Sequence, residues 1–274
     1  MKEFKSFYKT VTAAEGDRCR YNTRLDTYGC GCQHDCSYCY AKSLLDFRGL
    51  WHPDDPSIAD IDKIRRKLDK IPAGTILRLG GMTDCFQPCE MFSGVTKQTI
   101  KLLNERQIGY LIVTKSDLIC EYMHILDRKL AHVQVSTTWL PCEKAVPTER
   151  RIYAIESLQE EGFDVAVRLS PFVAEMVDFD RLNSIKCDKV QVEFLRVNHW
   201  IEKWLPMDYS QYTLKSGGYR HLPLGAKVAA LKKITGFKQM SVCEDVPEHY
   251  EYWKENINSN PDDCCNLRKE QVNK

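Results

Sequence analysis

The chain alternates between short apolar runs and longer stretches in which apolar residues return every three or four positions. Runs of the first kind predict strands and stretches of the second kind predict amphipathic helices. Leu25 to Cys30 reads as a first short strand ending at Gly29 and Gly31, and a helix starts at Ala41-Lys-Ser-Leu-Leu. His52-Pro-Asp-Asp-Pro56 breaks the chain. Ser57 then reads as the N-cap of a helix carrying Ile58, Ile61, Ile64, Leu68 and Ile71, and Pro72-Ala-Gly74 ends it. From there strands are predicted over Thr75–Leu79, Tyr110–Thr114, His132–Thr137, Asp164–Leu169 and Asp188–Phe194. Helices are predicted between them over Val95–Arg106, Asp117–Lys129, Thr148–Glu161 and Ala174–Ile185. Counting the first, these are six strand–helix alternations, which imply an α/β fold with a parallel sheet and right-handed crossovers. Function is then expected at the C-terminal ends of the strands.

The alternation divides the chain into an arm (1–24), a barrel-forming region (25–198) and a C-terminal extension (199–274) with one further helix over Ala226–Ile234. At 274 residues there is length for one large α/β barrel or two small domains. The composition, 43% hydrophobic and 28% charged, is that of an ordinary globular protein. No apolar run reaches the roughly 18 residues of a membrane span, and the N-terminus lacks the apolar core of a secretion signal. A cytoplasmic location is expected, and there the 13 cysteines read as metal ligands, catalytic thiols or buried small groups rather than disulfides. A net charge of +1 favours no particular partner.

One stretch changes the picture. Cys32-Gln-His-Asp-Cys36-Ser-Tyr-Cys39 has the spacing C-x3-C-x2-C. Thiolates suit iron–sulfur clusters and zinc, and closed sites of either kind want four protein ligands. Here three stand together with no fourth at a standard spacing. Three ligands on a four-iron cube leave one iron open, as a catalytic cluster needs. A zinc knuckle or scattered free thiols are the other readings of these spacings.

With Tyr38 just before the last cysteine, the loop resembles the radical S-adenosylmethionine superfamily, and Gly31 to Tyr40 resembles its branch related to spore photoproduct lyase. Two further strand ends carry the same resemblance: Gly80-Gly-Met-Thr-Asp-Cys-Phe-Gln-Pro-Cys-Glu90, and Thr114-Lys-Ser116 with Ser136 beyond it. The resemblance spans about Asn22 to His199 and implies a partial (β/α)6 parallel barrel with a C-terminal extension. It implies a 4Fe–4S cluster on Cys32, Cys36 and Cys39, whose open iron chelates S-adenosylmethionine and releases a 5′-deoxyadenosyl radical. Gly80, Gly81, Thr83, Lys115 and Ser136 are the implied S-adenosylmethionine contacts, and Tyr38 packs by the adenine. A flavodoxin- or ferredoxin-type electron donor and a nucleobase in DNA or RNA as substrate are implied with them. The enzymatic alternative is a peptide or small metabolite, and a non-catalytic metal-containing nucleic-acid-binding module is the alternative of another class. Lys115 has a physical reason as well, because a lysine at an inward strand end is costly to desolvate unless an anion meets it.

One position departs from the branch. Gly81 stands where the lyase has the thiol that returns a hydrogen atom, so Cys85, with Cys89 near it, is the expected catalytic donor. Arg168 and Glu193 also reach strand ends, either toward the barrel mouth or as a structural ion pair. In the extension, Trp200, Trp204, Tyr209, Tyr212 and Tyr219 alternate with Lys203, Lys215, Arg220 and His221, a pattern suited to stacking and phosphate contact. Cys243, Cys264 and Cys265 lie in a polar tail that core packing does not explain. An auxiliary iron–sulfur cluster, with Cys187 or Cys142 as fourth ligand, is one reading of these three, and free or buried thiols are the other.

Overall fold

The computed structural model describes residues 4–9, 19–140, 144–243 and 245–267. In chain order the strands begin with β1 (Phe7–Lys9) and β2 (Thr23–Leu25), which pair antiparallel. A two-residue pair follows, β3 (Tyr28–Gly29) against β4 (Ser57–Ile58). Then come β5 (Ile76–Leu79), β6 (Gly109–Thr114), β7 (Ala131–Ser136), β8 (Asp164–Phe172) and β9 (Lys189–Phe194). β10 (Leu214–Ser216) and β11 (Tyr219–His221) form a hairpin, and β12 (Gln239–Val242) ends the series.

The main sheet has eight strands in the order β1-β2-β5-β6-β7-β8-β9-β12. Apart from β1 every neighbour is parallel, and each new strand joins on the same side as the last. This is the parallel α/β partial barrel. The sheet is wider than the six predicted strands, because β1 comes from the segment before residue 25 and β12 from the extension.

Alternation across the sheet separates two environments. On β5, Leu77 and Leu79 join the main core while Arg78 lines the central cavity. On β7 and β8, Val133, Val135, Val165, Val167 and Leu169 pack outward, whereas Ser136 and Arg168 line the cavity. A period of two along parallel strands produces this division. The outer layer is made of α4 (Val95–Glu105) and α5 (Thr148–Glu160) with shorter pieces, after α1 (Tyr40–Leu45), α2 (Ile61–Leu68) and α3 (Glu90–Ser93).

Several boundaries differ from expectation, for local reasons. The first strand divides at Asp26, whose carboxylate turns to accept from the backbone N–H of Gly81 and Met82. The helix expected from Ser57 starts at Ile61, because Asp60 caps it by accepting from Asp62 N and Lys63 N while Ser57–Ile58 pairs with Tyr28–Gly29. Asp117–Ile125 winds as a 3-10 helix, and the 174–185 stretch holds only a 3-10 turn (Ala174–Met176) and α6 (Phe179–Asn183). The extension contributes α7 (His199–Trp204), α8 (Leu224–Leu231) and α9 (Pro247–Asn256). Among the described residues no helix is long and apolar enough to cross a membrane.

Candidate active site

The cysteine loop follows β3 and is folded by two turns in succession. Asp35 N donates to Cys32 O (3.0 Å) and Cys39 N to Cys36 O (3.1 Å), with Asp35 in the left-handed region at φ 41°. Cys39 caps α1, its Sγ accepting from Lys42 N at 3.4 Å. The loop is anchored through Gln33, whose N donates to Gln87 Oε1 (2.9 Å) and whose Oε1 accepts from Cys89 N (2.6 Å). Asp35 also pairs with Lys42 (2.8 Å) and Lys144 (3.2 Å). The result is that Cys32, Cys36 and Cys39 all line one wall of a cavity of about 1070 Å3. Burial, then the Asp84 carboxylate and Cys36, push the Cys32 thiol well above its ordinary value, and burial also raises Cys39. Such thiols stay protonated until a cation meets them.

The turn after β5 forms the next wall. Gly80 has φ 82°, and a Cβ there would stand 2.6 Å from Val113 O. A Cβ on Gly81 would meet the Tyr8 hydroxyl at 2.0 Å and Arg24 Cδ at 2.8 Å. At Gly80 the left-handed backbone and the Val113 carbonyl both require glycine, while a side chain at Gly81 would have to displace Tyr8 and Arg24. Asp26 holds the turn from beneath, accepting from Gly81 N (2.6 Å), Met82 N (2.9 Å) and Tyr8 Oη (3.0 Å). Its burial pushes the carboxyl up to about 6 despite those three donors.

Most of the Thr-Asp-x-Phe-Gln-Pro-x-Glu run braces the walls together. Thr83 lines the cavity with its hydroxyl donated to Tyr28 O (2.7 Å). Asp84 accepts from Phe86 N (2.8 Å), Thr114 Oγ1 (2.8 Å) and Lys115 N (2.6 Å), and faces His34 Nε2 at 3.2 Å. Burial raises its carboxyl, but His34 and the backbone donors outweigh that and hold it below the usual range. Glu90 is wholly buried and takes Tyr28 and Tyr122 hydroxyls with the N–H groups of Thr96 and Lys97.

Opposite the loop, Lys115 and Ser136 come together. Lys115 Nζ donates to Ser136 Oγ (3.0 Å) and Ser170 O (3.3 Å), and stands 5.4 Å from the centre of the Tyr38 ring. Burial pulls its ammonium below the ordinary lysine value, so the site presents a cation that is poorly solvated. Arg168 and Glu193 are paired with each other and also line the cavity. Glu193 further accepts from Ser170 Oγ (2.8 Å) and Arg196 (3.1 Å). Burial works against its ionisation, yet Arg168 and Arg196 hold it at about 2.

All the expected cluster and cofactor residues, Cys32, Cys36, Cys39, Tyr38, Gly80, Gly81, Thr83, Lys115 and Ser136, therefore line one cavity. Cys85 does not. It is 1% exposed in the main core, and burial followed by the Asp84 and Glu90 carboxylates pushes its thiol well above the ordinary value. Cys89 is also absent from the cavity wall. Residues that sequence reasoning passed over include Tyr8, Arg78 and Asp245, all on the cavity wall. Arg78 had a signal, a charge in the middle of an apolar strand, whereas Tyr8 had none.

No family model matches the sequence. An uncharacterized protein of Methanocaldococcus jannaschii is 23% identical over 215 residues, covering 70% of this chain and 80% of that protein. Among solved structures, a cysteine-to-serine variant of spore photoproduct lyase superposes with a TM-score of 0.62 at 15% identity, covering 88% of this chain and 79% of that one. A variant of the same lyase with bound AdoMet and dinucleoside spore photoproduct gives a TM-score of 0.58 at 15% identity, covering 85% and 80%. The fold is that of spore photoproduct lyase. The partial barrel shared with those structures is thus what carries the three-cysteine loop here.

The donor set fits the groups this fold implies. Three soft ligands share one wall, a glycine turn lines the cavity with them, and a buried lysine and a serine do so as well. The cavity is as large as those that enclose cofactor-sized molecules.

The aromatic run of the extension divides in two. Trp200 stacks on Phe47 (6.2 Å) and on Trp204 (5.8 Å), with Arg48, Lys203 and Lys42 over the three rings. Tyr209 and Tyr212 are instead buried against each other, and Tyr219 lines the cavity.

Proposed function

We propose that the protein is a radical S-adenosylmethionine enzyme acting on a nucleobase in DNA or RNA. The observation that carries this reading is that Cys32, Cys36, Cys39, Lys115 and Ser136, from three separate parts of the chain, share one cavity wall system. Cys32, Cys36 and Cys39 would hold a 4Fe–4S cluster, which with S-adenosylmethionine bound would supply radical chemistry on one-electron reduction by a flavodoxin- or ferredoxin-type donor. The chain's own residues do the rest. Lys115 and Ser136 neutralise and orient the anionic and hydroxyl groups of the cofactor, Gly80 and Gly81 clear the space beside its amino end, and Tyr38 offers a ring face. The Arg168–Glu193–Arg196 group presents fixed charges on the same cavity without free protons to lose.

Support for a nucleic-acid substrate comes from the Phe47–Trp200–Trp204 stack with its three cations. It stands beside α1 and on α7, which also send Leu44 and Ile201 to the cavity. Aromatic faces among cations suit an unpaired or flipped base. The test is anaerobic incubation of reduced protein with S-adenosylmethionine and single-stranded or damaged oligonucleotides. 5′-Deoxyadenosine release that rises with an oligonucleotide, and deuterium transfer from it, are the expected results. Release unaffected by any oligonucleotide would remove the substrate assignment, and no release at all would remove the enzyme.

A further inference from the structure

Away from the cavity loop, four more cysteines meet. Cys19 before β2, Cys243 after β12, and Cys264 with Cys265 in the tail form a separate buried cluster with Tyr21, Leu111 and Leu267. The Cys19 and Cys265 thiols are in hydrogen-bonding contact, as are Cys264 with Cys243 and Cys264 with Cys265. The two candidates named from sequence as a fourth ligand do not enter. Cys187 turns its thiol to the carbonyls of Val165 (3.6 Å) and Lys189 (3.5 Å), and Cys142 lies outside the described residues. We propose that Cys19, Cys243, Cys264 and Cys265 are the four ligands of a structural zinc ion.

Four independent features support this site. The ligands come from segments that have no regular structure of their own yet are held in place. Tyr21 Oη donates to Asp263 Oδ2 (2.6 Å), Asn266 Nδ2 to Ser241 Oγ (2.7 Å), and Cys243 N to Val192 O (2.7 Å). Next, Gln191 Nε2 is aimed at the sulfurs, 3.5 Å from Cys265 Sγ and 3.9 Å from Cys264 Sγ, besides 3.0 Å from Cys264 O. Amide donors to sulfur are what metal-bound thiolates recruit around them. Third, four thiolates on a divalent ion leave two negative charges in excess, and a buried excess needs cations. Arg78 lies near Cys19 and Cys265, and Arg168 near Cys243 and Cys265.

Size is the fourth feature and selects the ion. A tetrahedral zinc at about 2.3 Å from each sulfur leaves the sulfurs nearly in contact, as these already are. A four-iron cube needs a hole of its own size between its ligands. The contacts of Cys19 with Cys265, and of Cys264 with Cys243 and Cys265, leave no such hole between these sulfurs. Among the described residues no group of three or more His, Cys, Asp or Glu side chains is already arranged to hold a metal ion, in the cavity loop or here. Binding the ion would release the thiol protons to solvent as the four sulfurs draw in on it.

The test is metal content per chain by mass spectrometry, with iron and zinc supplied together during expression. Wild type is expected to hold about one zinc beside its cluster iron. Cys32→Ala/Cys36→Ala/Cys39→Ala should lose the iron and keep the zinc, and Cys19→Ser should lose the zinc. Should Cys19→Ser fail to fold, wild type refilled with cobalt(II) gives the second reading. Intense thiolate-to-cobalt charge transfer with tetrahedral d–d bands is expected of four sulfur ligands. Zinc that disappears from the triple variant instead, a second iron–sulfur cluster in the tail, or a cobalt spectrum without thiolate bands would each overturn the assignment.

Discussion

The two cysteine groups of this chain are built on opposite plans. Cys32, Cys36 and Cys39 fall within eight residues, number three, and face a cavity of about 1070 Å3 with Lys115 across from them. Cys19, Cys243, Cys264 and Cys265 come from both ends of the sequence, number four, and are buried against one another. The difference follows from coordination chemistry. On the proposed reading the loop holds a catalytic metal group, which must keep a position free for an exchanging ligand, and three thiolates with room beside them suit that need. A structural ion is saturated by the chain, and its gain is a cross-link between segments that lack secondary structure. The two groups nevertheless share a border. Gln191 touches the tail sulfurs with its amide nitrogen and Arg168 with its oxygen, and Arg168 reaches Glu193 on the cavity wall.

The largest effect that separates the groups is all-or-none. Cys36→Ala should abolish reductive cleavage of S-adenosylmethionine while zinc content is kept, measured as 5′-deoxyadenosine per chain beside metal analysis. Full cleavage in that variant would end the distinction between an open and a closed set. Next in size is the shared border. Glu193→Gln leaves Arg168 buried beside a neutral amide, and removing one partner of a buried pair costs about 3–5 kcal/mol. Urea unfolding of the variant should show a loss of that order. A loss below about 1 kcal/mol, the range of exposed pairs, would show that Arg168 draws its compensation from elsewhere.

The same contrast explains what was legible in the sequence. The cavity loop could be read because its ligands sit on consecutive turns, where spacing is geometry. The fourth tail ligand could not, since Cys19 lies more than two hundred residues from Cys243 and only the closing of the sheet by β1 and β12 brings them together. Strands β5 to β9 were visible as apolar runs, because burial against helices leaves a continuous signal. Short pieces were not: Asp26 divides a strand with a tertiary contact to Gly81, and Asp60 takes over the cap from Ser57. Cys85 was placed in the chemistry by its nearness to Thr83 in sequence, yet the turn that points Thr83 at the cavity sends Cys85 into the core. Arg168 and Glu193 proved to be both things weighed for them, an ion pair and a cavity wall.

A smaller effect tests the wall opposite the loop. Lys115→Ala should weaken S-adenosylmethionine binding to the reconstituted protein by about 1.5–3 kcal/mol, the range for a hydrogen bond to a charged group. Equilibrium binding under anaerobic conditions measures it. The iron content should not change, because Lys115 bonds to Ser136 and Ser170 and supplies no ligand to the cluster. Unchanged affinity would place the carboxylate of the cofactor on another cation of the cavity, such as Arg24 or Arg78.

The smallest effect is a slope with pH, and it reports on the glycine turn. Asp26 has a folded-state value of about 6 against 3.8 for the free group, raised chiefly by burial. A carboxyl whose value is raised on folding binds its proton more tightly in the native state. Its stabilising contribution is therefore complete below the unfolded value near 3.8 and is lost as pH rises through about 6. Wild type should lose stability relative to Asp26→Asn across that window, with a slope of at most about 1.4 kcal/mol per pH unit, and the difference should be level above it. The comparison with Asn cancels the other carboxylates, which titrate in both proteins. The experiment is parallel urea unfolding of the two proteins at several pH values. A difference of the opposite sign, with wild type gaining on the variant as pH rises, would mean that the Gly81, Met82 and Tyr8 donors outweigh burial. The turn would then rest on an ionised carboxylate throughout, with a fixed negative charge beneath the cavity.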